Sequence, residues 1–387
     1  MDFLSFIIWD PSPTMVTFPE WLPLIAGREV RWYGLLFALG FLISQQVMFY
    51  MFRKEGKKES DVEVVTVVMM ISTVIGARLG HVLFYEPDKY LPNPIKILYI
   101  WEGGLASHGA FFAIFVGLFI YVNYKIKINL FKGQFSWKKY KREGQSFLWI
   151  IDRIAIVVAL TGCLIRLGNF MNSEIEGLPT GTNQGVVFAR AAEDIVSSIG
   201  WVESVEVSKA VETETIYEEG IVPVKLKVSF NTPEITEEQA NLLVQKDVKR
   251  ALTRYEYVTR HISEPIGKGL TYDLSKNKGK WTAEVITGGI VRHPSQLYES
   301  FSYLIIFFIL FFIWKQKKSE LKGGWLFGLF MVLVFGVRFF YEFLKENQVA
   351  FEDELALNMG QWLSIPFVLI GVIFMLRSKK SIQGTGS

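Results

Sequence analysis

FLWIIDRIAIVVALTGCLIRLGNF, residues 147–170, is nearly all apolar yet contains Asp152, Arg153 and Arg166. About 20 predominantly apolar residues are enough for a helix to cross the hydrocarbon core of a bilayer. A charge inside such a stretch costs about 2.5–3.5 kcal/mol on insertion scales, so each one needs a partner or a task. Two features therefore organise the reading of this chain, a membrane-spanning helix and a polar cluster at its end, Ile165–Gly177, which reads I-R-L-G-N-F-M-N-S-E-I-E-G.

Six more stretches of the same kind lie at 32–52, 62–84, 105–124, 297–314, 325–344 and 360–376. The whole chain has 387 residues, of which 50% are hydrophobic, 15% aromatic and only 20% charged. A soluble domain carries about 25% charge. Unpaired backbone groups are costly in lipid, so the spans should be helices. The fold expected is an all-α polytopic membrane protein of seven transmembrane helices. A single cysteine, Cys163, excludes a disulfide-stapled scaffold, and its place in an apolar span suits packing better than nucleophilic chemistry. The net charge of +3 is too small to suggest a nucleic-acid partner.

The loops orient the bundle. Basic residues cluster at Arg53–Lys58, across 125–142 (Lys125, Lys127, Lys132, Lys138, Lys139, Lys141, Arg142), at Lys315–Lys322, and in the tail at Arg377, Lys379 and Lys380. The alternate loops have few, and the one after the sixth span is acidic at Glu352, Asp353 and Glu354. Lys and Arg stay on the cytoplasmic side, so the N-terminus should lie outside and the C-terminus inside. The first thirty residues contain four prolines and lack the basic start of a signal peptide. They read as an external segment on the membrane face.

Between the fourth and fifth spans lies a stretch too long for a loop. Residues 203–211 and 222–231 alternate like strands, 235–255 reads as an amphipathic helix with Thr236 as N-cap, and 281–286 could close a sheet. The expected organisation is an external N-terminal segment (1–30), spans one to four (31–190), a small external α+β domain inserted at 191–287, spans five to seven (288–378) and a cytoplasmic tail (379–387).

Four places put polar chemistry in or beside spans. Arg166 and Asn169 share a helix face, with Asn172, Glu174 and Gly177 following. A guanidinium among amide donors suits a phosphate or carboxylate, although a snorkelling Arg with an Asn cap would look similar. Arg338 in the sixth span could hold a second oxygen of such an anion, or simply pair with Glu342 one turn on. His108, in G-G-L-A-S-H-G-A, is either a hydrogen-bonded structural residue or a general base, with Gly103, Gly104 and Gly109 leaving room for a substrate. An imidazole with its ordinary pKa of about 6.5 suits that chemistry at neutral pH. In R-H-P-S-Q-L-Y-E, 292–299, Ser295 is accounted for as a helix cap, whereas Gln296 and Tyr298 are not. Tyr33 in W-Y-G and Arg78 in G-A-R-L-G add further polarity. No H-E-x-x-H, G-x-S-x-G or cysteine pair supports zinc or serine-nucleophile chemistry.

Taken in order, these motifs resemble those of bacterial prolipoprotein diacylglyceryl transferases. The family's signature is similar to Gly162, Arg166, Leu167, Gly168, Asn169, Phe170, Asn172, Glu174 and Gly177 here. The resemblance continues through W-Y-G at 32–34, G-x-R-x-G at 76–80, V-L-F-Y at 82–85, G-G-x-x-x-H-G at 103–109, R-H-P-S-Q-L-Y-E at 292–299, R-F-x-x-E-F at 338–343 and M-G-Q-x-L-S-I-P at 359–366. It implies a seven-span, N-outside protein of the bacterial inner membrane with its active site toward the outer face. It also implies transfer of the diacylglyceryl group of phosphatidylglycerol to the lipobox cysteine of a preprolipoprotein, with release of glycerol 1-phosphate and no cofactor or metal.

On that resemblance, Arg166 and Arg338 hold the phosphate, His108 takes the thiol proton, and Asn169 and Gly177 orient the headgroup. Tyr33, Arg78, Asn172, Glu174, Gln296 and Tyr298 line the site, and Glu342 holds Arg338. Two departures bear on these roles. Ala110 stands where a second glycine usually follows the histidine, and Val334 stands where the family often places a tyrosine four residues before Arg338. Another hydroxyl, such as Tyr298 or Tyr341, would then serve. The insert lies outside the resemblance. The competing class is a transporter or channel whose Arg, His and Glu line an ion path, and a receptor with the insert as sensor is a third.

Overall fold

The computed structural model describes residues 6–23, 26–99, 103–129, 134–210, 216–232, 234–277, 279–346 and 355–380. Lys132 and the acidic triplet 352–354, on which part of the topology reading rests, lie outside the described residues. The chain forms two compact units. One comprises Met1–Leu36, Ile165–Ser300 and Phe340–Asn358, and the other Phe37–Leu164, Phe301–Phe339 and Met359–Ser387.

Among the described residues, six helices are long and apolar enough to cross a membrane. They are α1 (Trp32–Lys54), α2 (Glu59–Phe84), α5 (Phe147–Met171), α10 (Ser295–Lys317), α11 (Trp325–Tyr341, extended by a 3-10 turn, Glu342–Leu344) and α12 (Met359–Lys380). Two further helices precede α5: a single turn, α3 (Pro87–Tyr90), and α4 (Ser107–Asn123), which is apolar but only 17 residues long. At 1.5 Å per residue α4 is about 25 Å long, at the short end of what can span. The architecture is that of a polytopic membrane protein.

The second unit is the helical one. Its core joins Met51, Phe52, Val62, Leu118, Ile150, Ile156, Leu310, Trp314 and Leu326. Leu42, Ile71, Phe112, Phe312 and Leu369 stay exposed on its helices, the pattern of lipid-facing surfaces. Helix α2 meets α4 through glycines: a Cβ on Gly109 would lie 2.2 Å from the Gly76 carbonyl oxygen and 2.7 Å from Gly80 Cα. Small residues permit this approach, in which dispersion contacts replace the hydrophobic effect that lipid cannot supply. Two charges read from the fourth span are structural here. Asp152 accepts from the backbone amides of Gly324 and Phe327, both at 2.8 Å, and so caps α11. Arg153 is sealed against Glu55, with contacts of 2.7 and 2.8 Å. The basic stretch after α4 contains two antiparallel paired strands, β4 (Tyr124–Asn129) and β5 (Gln134–Lys139).

The first unit holds the β-structure. Strands β1 (Phe6–Trp9) and β6 (Gly185–Phe188) pair in parallel, and β2 (Thr14–Thr17) pairs with β3 (Glu29–Arg31). An antiparallel sheet runs in the order β10 (Thr271–Asn277), β11 (Lys280–Ile290), β8 (Ile221–Phe230), β7 (Val202–Lys209), with β9 (Ile262–Ser263) on β11. Strand β8 alternates buried and partly buried residues along its whole length. Val222, Val224, Leu226, Val228 and Phe230 therefore face one core. Helix α6 (Arg190–Ser197) packs there through Ala192 and Val196.

Thr236 caps α7 (Glu237–Leu243) in a reciprocal box with Gln239, at 3.2 and 3.0 Å. The predicted helix 235–255 runs unbroken from Glu237 to Arg254, with a π-helical turn, Val244–Val248, between α7 and α8 (Lys249–Arg254), and α9 (Glu256–Thr259) follows. Strand β10, polar except at Tyr272 and Leu274, lies outside the strands that the alternation predicts. Strand β6 and the end of β11 lie outside the expected insert, 191–287, and within the same compact unit.

Candidate active site

The end of α5 and the loop after it carry the polar cluster. Arg166 donates from Nη1 to Asn169 Oδ1 at 3.2 Å, and Asn172 Nδ2 donates to Glu174 Oε1 at 3.2 Å. Glu174 is returned toward the helix by its own amide, which donates to the Asn169 carbonyl at 3.0 Å. The backbone bends sharply to do this. Ser173 and Ile175, flanking Glu174, have φ of 51° and 58°. For a β-branched residue such as Ile175 that conformation is a true outlier, held only where the surroundings over-determine it.

The surroundings are the R-H-P-S-Q-L-Y-E segment. Ser295 Oγ donates to the Ile175 carbonyl at 2.9 Å, Gln296 Nε2 to the Glu174 carbonyl at 2.7 Å, and the Gly177 amide to the His293 carbonyl at 3.0 Å. Ser295, expected as a helix cap, thus clamps the loop. Gly177 is required by space: a Cβ there would sit 2.5 Å from the His293 carbonyl oxygen and 2.9 Å from that of Leu344. Tyr33 packs beneath the same helix end, with its ring 2.9 Å from where a Cβ on Gly168 would lie.

Two residues that the sequence reading passed over complete the electrostatics. Glu299 is fully buried and contacts Arg166 Nε through Oε2 and Lys345 Nζ through Oε1. Lys345 in turn lies 3.2 Å from Glu342, which also accepts from Asn358 Nδ2 at 3.4 Å. Four charges therefore alternate along Arg166, Glu299, Lys345 and Glu342, the arrangement a low-dielectric site needs if each is to stay ionised. The sequence holds the signal: an intramembrane Arg166 demands a counter-ion, and Glu299 closes the R-H-P-S-Q-L-Y-E segment. Two acceptors in this cluster, Gln296 Oε1 and Asn172 Oδ1, are buried without a hydrogen-bond partner among the described residues. Beside it, His293 and Tyr298, joined by a 3.4 Å hydrogen bond, line a cleft of about 840 Å³ with Ile7, Thr180, Lys209 and Leu297.

The other unit holds the remaining expected site residues. His108 is the second residue of α4 and lies against the rings of Phe84 and Tyr85, with centroids 5.2 and 5.8 Å away. The room expected from its glycines is mostly taken up, Gly109 by the crossing with α2, and Gly104 by His81 and Arg78 within 3.0 Å of where its Cβ would be. Arg78 is almost wholly buried and donates to the carbonyls of Ile97, Lys96, Gly103 and Tyr99 at 2.5–3.2 Å. Its ring partner is Tyr90. That geometry clamps the loop before α4. Arg338 lies in the last turn of α11, partly buried, with Val334 one turn before it.

A model of the prolipoprotein diacylglyceryl transferase family matches residues 21–377. The chain belongs to this family. Relatives named phosphatidylglycerol–prolipoprotein diacylglyceryl transferase include one from Tolumonas auensis, 33% identical over 97% of this chain and 98% of its own length. One from Chloroherpeton thalassium is 31% identical over 99% and 98%, and one from Bacteroides fragilis 29% identical over 99% of each. The similarity therefore includes the inserted β-sheet region and is not confined to the spans. Family membership favours an anionic phospholipid over an ion path as the reason for Arg166 and its neighbours.

Proposed function

We propose that this chain moves the diacylglyceryl group of phosphatidylglycerol onto the lipobox cysteine thiol of a preprolipoprotein, releasing glycerol 1-phosphate. The observation that carries the proposal is the family match across residues 21–377 together with the clamped Arg166–Asn169–Glu174–Gly177 loop. The sulfur attacks the terminal glyceryl carbon, the C–O bond to phosphate breaks, the electron pair stays on the phosphate, and the thiol proton passes to a base. Negative charge builds on the leaving phosphate. Arg166 meets it, in a setting where fixed donors are worth far more than in water.

Arg338 as second phosphate ligand and His108 as base are carried from the family resemblance. A free thiol, with a pKa of about 8.5, is only a few per cent ionised at neutral pH, so a base has work to do. Gln296 Oε1 and Asn172 Oδ1, buried acceptors without donors, suit the two hydroxyls of the glycerol headgroup, since an unmet acceptor is costly until a donor arrives. Arg78 serves this function through the loop it clamps. The proposed topology has seven spans, counting α4, with the N-terminus, the inserted domain and the active site on the outer side of the inner membrane, and the tail in the cytoplasm.

The test is release of glycerol phosphate by purified protein from phosphatidylglycerol, with and without a lipobox peptide. Peptide-dependent release that falls at least about 100-fold in His108→Gln supports the whole assignment. Release with near-normal turnover in that variant moves the proton to another group. No release from folded wild type removes the reaction.

A further inference from the structure

The cleft of about 840 Å³ is walled by β1 on one side and by the end of β7, Ser208 and Lys209, on another, and both strands are open edges. The Trp9 carbonyl accepts from the Ala189 amide at 3.1 Å, so in the parallel ladder Ile7 and Trp9 spend their backbone groups on β6. Those of Phe6 and Ile8 point the other way, and among the described residues no strand pairs with that side of β1. Strand β7 reads likewise. Ala210 donates to the Pro223 carbonyl at 3.2 Å, which puts Ser208 among the residues bonded to β8 and turns the N–H and C=O of Lys209 away from it. Strand β6, by contrast, is closed on both sides, because Val186 exchanges bonds of 3.0 and 2.8 Å with Arg292.

Exposed edges are normally blunted by charge, proline or a covering element, because they template pairing with another chain. The edge of β1 has no such guard. Its sequence is F-I-I-W, and Ile7 is 59% exposed. Ile7 and its register partner Val186 share a face and, with Leu297, give the cleft an apolar lining. The cleft also reaches the signature loop, since its lining residue His293 accepts from the Gly177 amide at 3.0 Å. An occupant therefore has two demands to meet, open backbone donors and acceptors along one wall and apolar side chains beside them. An acyl chain meets only the second. An extended polypeptide meets both, through main-chain bonds to the edge and alternate side chains on the apolar lining.

We infer that this cleft is the docking groove for the acceptor polypeptide, which adds as an extended strand to the free edge of β1 and lays alternate apolar side chains on Ile7, Val186 and Leu297. The inference rests on the proposed transferase reading and gives the second substrate of that reaction a place beside the loop that carries Arg166. Side chains on one face of a strand recur about every 7 Å, so the groove reads apolar character at every second residue. The backbone bonds hold the peptide without regard to its sequence. Lys209, whose Nζ lies 4.3 Å from the centre of the Phe6 ring, stands at the edge of the groove and disfavours a basic side chain passing it.

The experiment uses the full chain in detergent micelles and a lipobox peptide with serine in place of its cysteine, so that binding is read without transfer. Ile7→Asp and Ile8→Pro are expected to weaken peptide binding about tenfold, the worth of one hydrogen bond. Proline at position 8 removes only an outward N–H and leaves the β6 ladder intact, whereas Ile8→Ala keeps that N–H and is expected to bind nearly as wild type does. Methylation of the peptide's own amides tests the same bonds without altering the protein. Methyl groups on one alternate set of residues should cost about tenfold, and on the other set little. Equal effects at both sets, no binding to wild type, or groove variants that bind normally overturn the groove. With the cysteine peptide and phosphatidylglycerol, the two groove variants should raise KM for the peptide and leave KM for the lipid unchanged. The reverse assigns the cleft to an acyl chain and also overturns it. Alternating binding by a wild type that transfers nothing keeps the groove and removes the transferase reading. Transfer with normal peptide KM in both variants removes the groove alone.

Discussion

Helix α5 carries two arginines in membrane-spanning sequence, each paired with a glutamate, and the two pairs are built differently. Arg153 is 2% exposed and Glu55 7%. Both Glu55 oxygens accept from Arg153, and Trp149 Nε1 adds a further bond at 2.9 Å. Arg153 also covers the Trp149 ring, 4.4 Å from its centroid. That pair is closed on all sides. Arg166 is 16% exposed, its partner Glu299 is shared with Lys345, and its neighbours include a backbone held at positive φ and two buried acceptors without donors. A closed pair holds helices together. A shared pair with strained, unsatisfied neighbours is poised to exchange a partner for a ligand, at a cost in stability met by the clamping residues Ser295 and Gln296.

Substitutions should separate the two pairs. The largest effect is expected for Arg166→Ala, which should lower kcat/KM of the folded protein by about 100- to 1000-fold, as loss of a charge-stabilising donor does, with a smaller loss of thermal stability than a fully closed pair would show, because Lys345 still pairs the buried Glu299. Arg153→Ala should do the opposite. Breaking one partner out of a buried pair costs about 3–5 kcal/mol, seen as a lower melting temperature, with kcat/KM of the folded fraction preserved. Equal losses of activity per folded molecule in both variants would erase the distinction.

Gly177→Ala comes next. Its Cβ meets backbone oxygens at 2.5 and 2.9 Å that no rotamer can move. The loop must shift, and both activity and stability should fall, the latter by about 1–3 kcal/mol. Different in kind, and seen only in acid, is the acid limb of stability. The His261 pKa is lowered to about 3 from its ordinary 6.5. Its contribution is therefore complete above 6.5 and lost as pH falls toward 3. His261→Gln should flatten that part of the melting-temperature profile, and an unchanged slope would show that the ring is not held neutral.

Much of this could be read from the chain because membrane spans and helix ends write themselves locally. Hydropathy located every long helix, Thr236 announced a cap, and the alternation of Val224, Leu226 and Val228 announced a strand. What escaped depends on residues distant in sequence. The parallel pairing of Phe6–Trp9 with Gly185–Phe188 has no periodic signature, and β10 is too polar for the alternation test. Glu299 and Lys345 each look like ordinary charges at a span end until folding brings them to Arg166. Arg78 was legible as a polar residue in a motif but not as a clamp: its donors go to backbone carbonyls of residues 96–103, and sequence does not say where those carbonyls point.

The most direct test of the central claim is the product itself. Purified protein, phosphatidylglycerol and a lipobox peptide would be incubated and the peptide examined by mass spectrometry, with wild type, Arg166→Ala and Arg153→Ala compared at equal folded concentration. The account predicts a diacylglyceryl thioether on the peptide cysteine with wild type and Arg153→Ala, and almost none with Arg166→Ala. An unmodified peptide with folded wild type, or full modification by Arg166→Ala, would contradict it.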